Sequence, residues 1–282
     1  MGKVMYMRKG EVHTAPISLP TFGYLLNQYT WDEIALIAKA GQAANYFAVG
    51  DYKHITINGK VGATTFSALE IKSVVLGFDH NDGIEGKNTI HFNIGKMGST
   101  MAALCDSSYY ASTSTSGKFT MNTSATNAGG WASSHMRKTV LGSDSTPANP
   151  TANTLLAALP ADLRAVMKPV TKYSDNTGGG SNTASYVTAT TDYLPLLAEY
   201  EVYGSQYLAN SAEQNYQEQY AYYAAGNGTK RANHSATTTN VHWYLRSVYN
   251  DDSTNFMRVG SDSYAASNNA NFSSGVSPLF VV

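Results

Sequence analysis

The chain has 282 residues, with 19 Lys plus Arg against 20 Asp plus Glu and a net charge of −1. That length suits one large domain or two small ones with a substantial core. The near-neutral balance gives neither nucleic acid nor an anionic membrane an electrostatic footprint. Charged residues make up only 14% while Asn, Ser, Thr, Ala, Gly and Tyr are plentiful, so the surface is polar through amides and hydroxyls, as in many extracellular adhesins, virion proteins and β-rich carbohydrate binders. The lone cysteine, Cys105, excludes an intrachain disulfide and a cysteine-built zinc site. In the apolar run Met101-Ala102-Ala103-Leu104 it reads as a buried free thiol. Residues 1–10, M-G-K-V-M-Y-M-R-K-G, lack the apolar core of a signal peptide, and no run reaches transmembrane length. Synthesis in the cytoplasm is expected, with any work outside reached inside a virion or without a cleaved signal.

Met1 to Pro20 reads as a separate extended arm: Lys3 to Met7 suits one short strand, and Ala15-Pro16 and Leu19-Pro20 break the chain. Such an arm suits docking to a neighbour or a trimer partner; an N-terminal edge strand is the alternative. Residues 21–282 then form the main domain. Thr30 caps a helix over Thr30 to Ala40: Glu33 completes a capping box, Ile34, Ile37 and Ala38 recur at helical spacing, and Gly41 ends the run. Lys53 to Ile57 followed by Asn58-Gly59 predicts a strand entering a type I′ hairpin turn. Ile71 to Phe78 predicts a central strand and Thr89 to Ile94 another.

Between them, Asp79, His80, Asn81, Asp82 and Glu85 invite a cation reading, but Gly83 falls one place early for an EF-hand and no Glu closes the loop. A hydrogen-bonded turn is the expectation. A meeting of His54, His80 and His91 in space would be needed for a histidine metal site; packed or exposed histidines are the commoner outcome. No metal and no cofactor is expected.

Ser107 to Gly117 reads as a loop, and Gly129-Gly130-Trp131 as a tight turn that delivers an aromatic ring to a core or groove. Trp131 to Leu141 suits a short helix. Asn153 opens another, and Pro160 begins a third that Pro169 ends. Val170 to Lys172 suits a strand. Gly178-Gly179-Gly180 lacks the residues of a phosphate loop and reads as a flexible excursion or hairpin tip. Thr191 to Tyr203 mixes helix and strand signals. Gln214 to Ala224 has helical period with Tyr216, Tyr220 and Tyr223 on one face, a stripe that suits core more often than a ligand platform. Lys230, Arg231 and His234 form too small a cluster for nucleic acid.

Val241 to Val282 has two apolar ends and a polar middle. His242-Trp243-Tyr244-Leu245-Arg246-Ser247 and Gly275 to Val282 both read as core strands, since Leu279-Phe280-Val281-Val282 needs burial to offset the entropy of ordering. Phe256, Met257 and Val259 suit one short strand between them. The middle is then either a binding surface on scaffolded loops, rich in the Asn, Ser and Tyr that paratopes favour, or a turn-rich final β-meander.

The pattern W-Y-L-R-S … F-M-R-V-G-S-D … G-V-S-P-L-F-V-V resembles the end of the C-type-lectin-like variable proteins of diversity-generating retroelements, and of related phage-tail and gut-bacterial proteins. Trp31-Asp32-Glu33-Ile34, Leu76 to Asn81, Met121-Asn122, Gly129-Gly130-Trp131, Leu159 to Arg164 and Glu199 to Gly204 are similar to further signposts of that domain. The resemblance implies an α+β fold: a C-type-lectin-like domain with short helices around a twisted antiparallel sheet, preceded by the N-terminal arm. It implies a receptor- or ligand-binding protein at a phage tail tip that recognises a host surface glycan or protein. Its variable positions would be Tyr249, Asn250, Asp251, Asp252, Ser253, Asn255, Arg258, Ser261, Ser263, Tyr264, Ser267, Asn268, Asn269 and Asn271. Ser277 stands where relatives often carry Arg, so any role of that Arg does not transfer. Other tail proteins and sibling copies, as a trimer, would be partners through the arm.

Catalysis is not expected. Formylglycine-generating enzymes share the implied fold but need cysteine chemistry that Cys105 alone does not carry. No nucleophile elbow and no zinc helix occurs. Glu199 and Glu201, if on a strand, point to opposite faces and do not converge as glycosidase carboxylates. A structural tail component and a cellular display protein remain as alternatives to an adhesin.

Overall fold

The computed structural model describes residues 3–8, 11–16, 18–106, 119–226, 230–237 and 239–282, the first two stretches as backbone. The loop expected at Ser107 to Gly117 lies outside them. The fold is α+β, with several largely antiparallel sheets and short helices.

Near the N-terminus, β1 (Lys3–Arg8) and β2 (Glu11–Pro16) pair in register from Lys3↔Pro16 to Arg8↔Glu11. The expected extended arm is therefore a hairpin, in which pairing satisfies backbone groups that a lone strand leaves open. Helix α1 (Trp31–Lys39) forms as its capping signals predict: Thr30 Oγ1 accepts from Glu33 N at 3.2 Å, and Glu33 Oε2 accepts from Thr30 N at 2.7 Å. It buries Trp31, Ile34, Ile37 and Ala38, and α2 (Ala43–Tyr46) follows.

The long strands β3 (Tyr52–Val61) and β4 (Thr64–Phe78) form a hairpin beside β5 (Ile90–Met97) and β6 (Thr100–Ala103), with α3 (Asp82–Glu85) in the β4–β5 connection. The turn is not at Asn58-Gly59. Gly59 (φ 141°) sits in a β-bulge inside β3, and Val61↔Thr64 pairing puts the turn at Gly62-Ala63. Local turn chemistry lost to register here, because one slipped residue would move Ile55 and Ile57 out of the core.

The middle of the chain carries α4 (Gly130–Ser133), a π-helical turn (Met136–Leu141), α5 (Leu155–Ala158) and α6 (Ala161–Val166). One helix from Trp131 to Leu141 is thus replaced by two short pieces. Thr154, not Asn153, caps α5, accepting from Ala157 N; Asn153 is left-handed at φ 59°. Strands β7 (Val170–Asp175) and β8 (Val187–Asp192) form a third hairpin whose tip holds the three glycines. Gly179 N donates to Asn127 Oδ1 at 2.9 Å and Gly178 N to Asp175 Oδ1 at 2.8 Å, so the tip is stapled in place. Helix α7 (Glu199–Tyr203) resolves the mixed signals ahead of it. The expected tyrosine helix is broken: a 3-10 turn (Ser211–Tyr216) and α8 (Ala221–Ala224) flank an extended link. Tyr220 and Tyr223 are buried, while Tyr216 is 37% exposed and stacks on Tyr173.

Strands β9 (Ala232–His234) and β10 (Asn240–Val241) extend the main sheet, β9 running parallel to β6. A three-stranded meander follows: β11 (Trp243–Val248), β12 (Asn255–Val259) and β13 (Ala265–Asn269). The last strand, β14 (Leu279–Val281), pairs with β5. Two apolar clusters sandwich these sheets. On β4, Val75 faces one and Val74 and Leu76 the other; on β11, Tyr244 and Val248 face one and Trp243 and Leu245 the other. Alternating strand geometry thus buries both faces of β11. Cys105 is free and 3% exposed, and its burial raises the thiol to about 12. No helix among the described residues is long and apolar enough to cross a membrane.

Candidate functional site

Because β11 is buried on both faces, Arg246 enters the interior and needs an anion there. Its guanidinium takes Glu201 of α7 bidentately, with Nη2 to Oε1 at 2.9 Å, while Nε donates to Ser174 Oγ at 2.9 Å. Lys172 of β7 donates to Glu201 Oε1 (2.8 Å), Glu85 Oε2 (2.6 Å) and the Tyr220 hydroxyl (2.9 Å). Two cations thus face two carboxylates. Burial works against the charge of Glu201, but Arg246 and Lys172 together hold it well below the usual carboxylate range.

Helix α7 connects this buried network to the surface. Glu199 turns its carboxylate to the following loop and accepts from the N–H groups of Tyr207 (3.0 Å), Leu208 (3.1 Å) and Ala209 (2.9 Å). Burial raises its pKa despite these three donors. The two acids sit on a helix, not on the strand that their spacing suggested; even so, their carboxylates serve different partners. Tyr203, at the end of α7, donates its hydroxyl to the Ser263 carbonyl at 3.0 Å and meets Tyr207 edge-on at 5.9 Å. The result is an open cleft of about 900 Å³ lined by Tyr203, Tyr207, Lys230, Arg231, Asp262 and Tyr264, among others. Tyr207 is 62% exposed and Tyr264 75%.

The fourteen expected site residues do not form one patch. Tyr249, Asn250, Asp251, Asp252 and Ser253 lie in the β11–β12 connection, and Ser261, Ser263 and Tyr264 in the β12–β13 turn, at the other end of β12. Asn255 and Arg258 lie on β12, Ser267, Asn268 and Asn269 on β13, and Asn271 just after it. Only Ser263 and Tyr264 reach the cleft. Tyr249 is half-buried against the second apolar cluster, and Asn250 holds the Ala209 carbonyl at 3.0 Å. Asn255 bonds Ser267 Oγ, and Arg258 donates to the Ser267 carbonyl at 2.9 Å. Asp251 and Ser253 are exposed. Asn127, fully buried, fastens the β11–β12 connection through the carbonyls of Asp252 and Asn255. Tyr203, Tyr207, Lys230, Arg231 and Asp262 were not expected in a site.

His80, Glu85 and His91 do come together, their ligand atoms within 4.8 Å of one another; His54 instead lies against Tyr52. Lys172 Nζ stands at Glu85 Oε2, where a metal ion would bind, so the ammonium is the cation of this cluster. His91 is driven down to about 3, first by burial and then by Lys172 and His80.

Residues 107–282 match a family described as a domain of unknown function, DUF6273. The chain belongs to this family. No curated protein and no solved structure matches it.

Proposed function

We propose that this protein is a ligand-binding protein, an adhesin, that recognises a surface glycan or protein through its C-terminal face. The observation that carries the reading is the tyrosine-lined cleft beside Ser263 and Tyr264. Two exposed rings over a fixed floor offer contact area at little entropic cost. The finer reading of the fold, a C-type-lectin-like domain, and placement at a phage tail tip rest on the sequence motifs. A two-stranded sheet is marginal alone, so the β1–β2 hairpin gains from docking to other tail proteins or to sibling copies in a trimer. Arraying copies would multiply weak single-site contacts.

The test is binding of a multimerised form to host cells and to a glycan and protein array, beside a variant carrying Tyr207→Ala and Tyr264→Ala. The variant should lose binding with stability within about 0.5 kcal/mol, as for exposed positions. Trp243→Ala, at 0% exposure, should cost about 3–5 kcal/mol. Full binding by the double variant would move the site elsewhere. No binding by the wild type, monomeric or multimerised, would favour a structural tail part.

A further inference from the structure

The three buried cationic side chains among the described residues are Lys172, Arg246 and Lys230. The first two are paired with carboxylates at 2.8 Å or less. Lys230 is the exception. It is 9% exposed, it makes no ion pair among the described residues, and its Nζ reaches one carbonyl, that of Tyr223, at 3.4 Å and lies over the Tyr203 ring, 5.8 Å from its centroid. An ammonium has three donors, so one long hydrogen bond and a ring face leave donors for a ligand in the cleft. Burial accordingly lowers its pKa. Arg231 follows it, exposed and without a hydrogen bond or ion pair among the described residues. Both line the cleft. The only carboxylate in that lining, Asp262, has one oxygen engaged by the Tyr264 N–H at 3.2 Å.

The cleft therefore offers two cations lacking an anion, beside aromatic faces. Its volume of about 900 Å³ falls in the range of small-molecule sites, about 300–1,000 Å³. We infer that it takes an acidic carbohydrate, with the carboxylate or sulfate on Lys230 and Arg231 and a sugar ring against Tyr207 or Tyr264. Guanidinium binds such groups bidentately, and charge-assisted hydrogen bonds are the strong kind. This rests on the cleft being the ligand site and adds the class of ligand.

The experiment uses the multimerised full chain on a glycan array that pairs each acidic glycan with its neutral counterpart, carboxylated and sulfated series separately, with acidic peptides as a further arm. The wild type should prefer acidic glycans by about tenfold or more, and the preference should fall with salt. Arg231→Ala and Lys230→Met should remove it; Lys87→Ala, on the exposed Lys87–Asp82 pair, should not. Because Arg231 is exposed, its variant should unfold at the wild-type temperature. The carboxylated and sulfated arms identify the anion. Equal binding of neutral glycans, or an unchanged preference in Arg231→Ala, would overturn the inference and leave the adhesin reading standing. Binding to acidic peptides alone would also overturn it, and no binding anywhere would remove both.

Discussion

At the residue scale, Glu213 stands out. It is fully buried, accepts from Ser247 Oγ at 2.6 Å and Asp175 N at 2.9 Å, and is pushed by burial up to about 7 from 4.5. Between those values the folded state holds a proton that the unfolded chain has released, so this group makes stability fall as pH rises from about 4.5 to about 7. His91 acts in the opposite sense. Held down at about 3 against 6.5, it makes stability fall as pH drops below 6.5. His242, lowered to about 4, chiefly by burial, adds to the second trend. Glu213→Gln removes the first trend alone. Unfolding free energies of the variant from urea titration should gain on the wild type by a margin growing by up to about 3 kcal/mol between pH 4.5 and 8. Parallel profiles would show that Glu213 does not titrate in this window. None of this was visible in the sequence, where Glu213 sits among polar residues as a helix-surface acid would.

At the element scale, what was legible was local. The Thr30–Glu33 box announced α1 because every partner lies within four residues. The apolar runs of β4, β5, β11 and β14 announced burial, and Phe256, Met257 and Val259 announced β12. Features set by distant contacts were not legible. Gly59 lies against Ala158, and Tyr220 left its helical pattern to meet Lys172 and stack on His80 at 3.6 Å. The cleft failed for the same reason: Tyr207, Arg231 and Tyr264 come from three segments that only tertiary structure gathers. Helix α7 ties two of them, holding the Tyr207 loop through Glu199 and the Ser263-Tyr264 turn through Tyr203, which makes Glu199 a positioning residue. Glu199→Ala would take the acceptor from three N–H groups, that of Ala209 buried and those of Tyr207 and Leu208 part-buried, at about 1–3 kcal/mol for each group not rescued by water. The loop carrying Tyr207 should loosen. Faster amide exchange at Tyr207, Leu208 and Ala209 together with weaker ligand binding is expected, although Glu199 does not line the cleft. Unchanged exchange there would mean that the loop is held by other contacts.

For the whole molecule, the family match and the fold disagree about where the unit begins. The match covers 107–282, yet the sheet that closes this stretch is built from β3 to β6, ahead of it. Strand β14 pairs with β5 through Leu279↔Asn93, Phe280↔Phe92 and Val281↔His91, and Phe280 stacks on Phe92 at 5.1 Å and meets Trp31 at 5.8 Å. Val282 and Ile90 exchange both backbone bonds, and Leu104 and Val276 do the same. Strand β9 needs β6. A fragment of 107–282 alone would expose Leu279, Phe280 and Val281 on an unpaired edge, a state that favours aggregation. It should show no cooperative thermal transition, whereas the full chain should unfold in one step. Supplying residues 1–106 in trans should restore the transition, because the missing partner is a surface and not a covalent link. Cooperative folding of 107–282 by itself would mean that β3 to β6 decorate the domain instead of completing it.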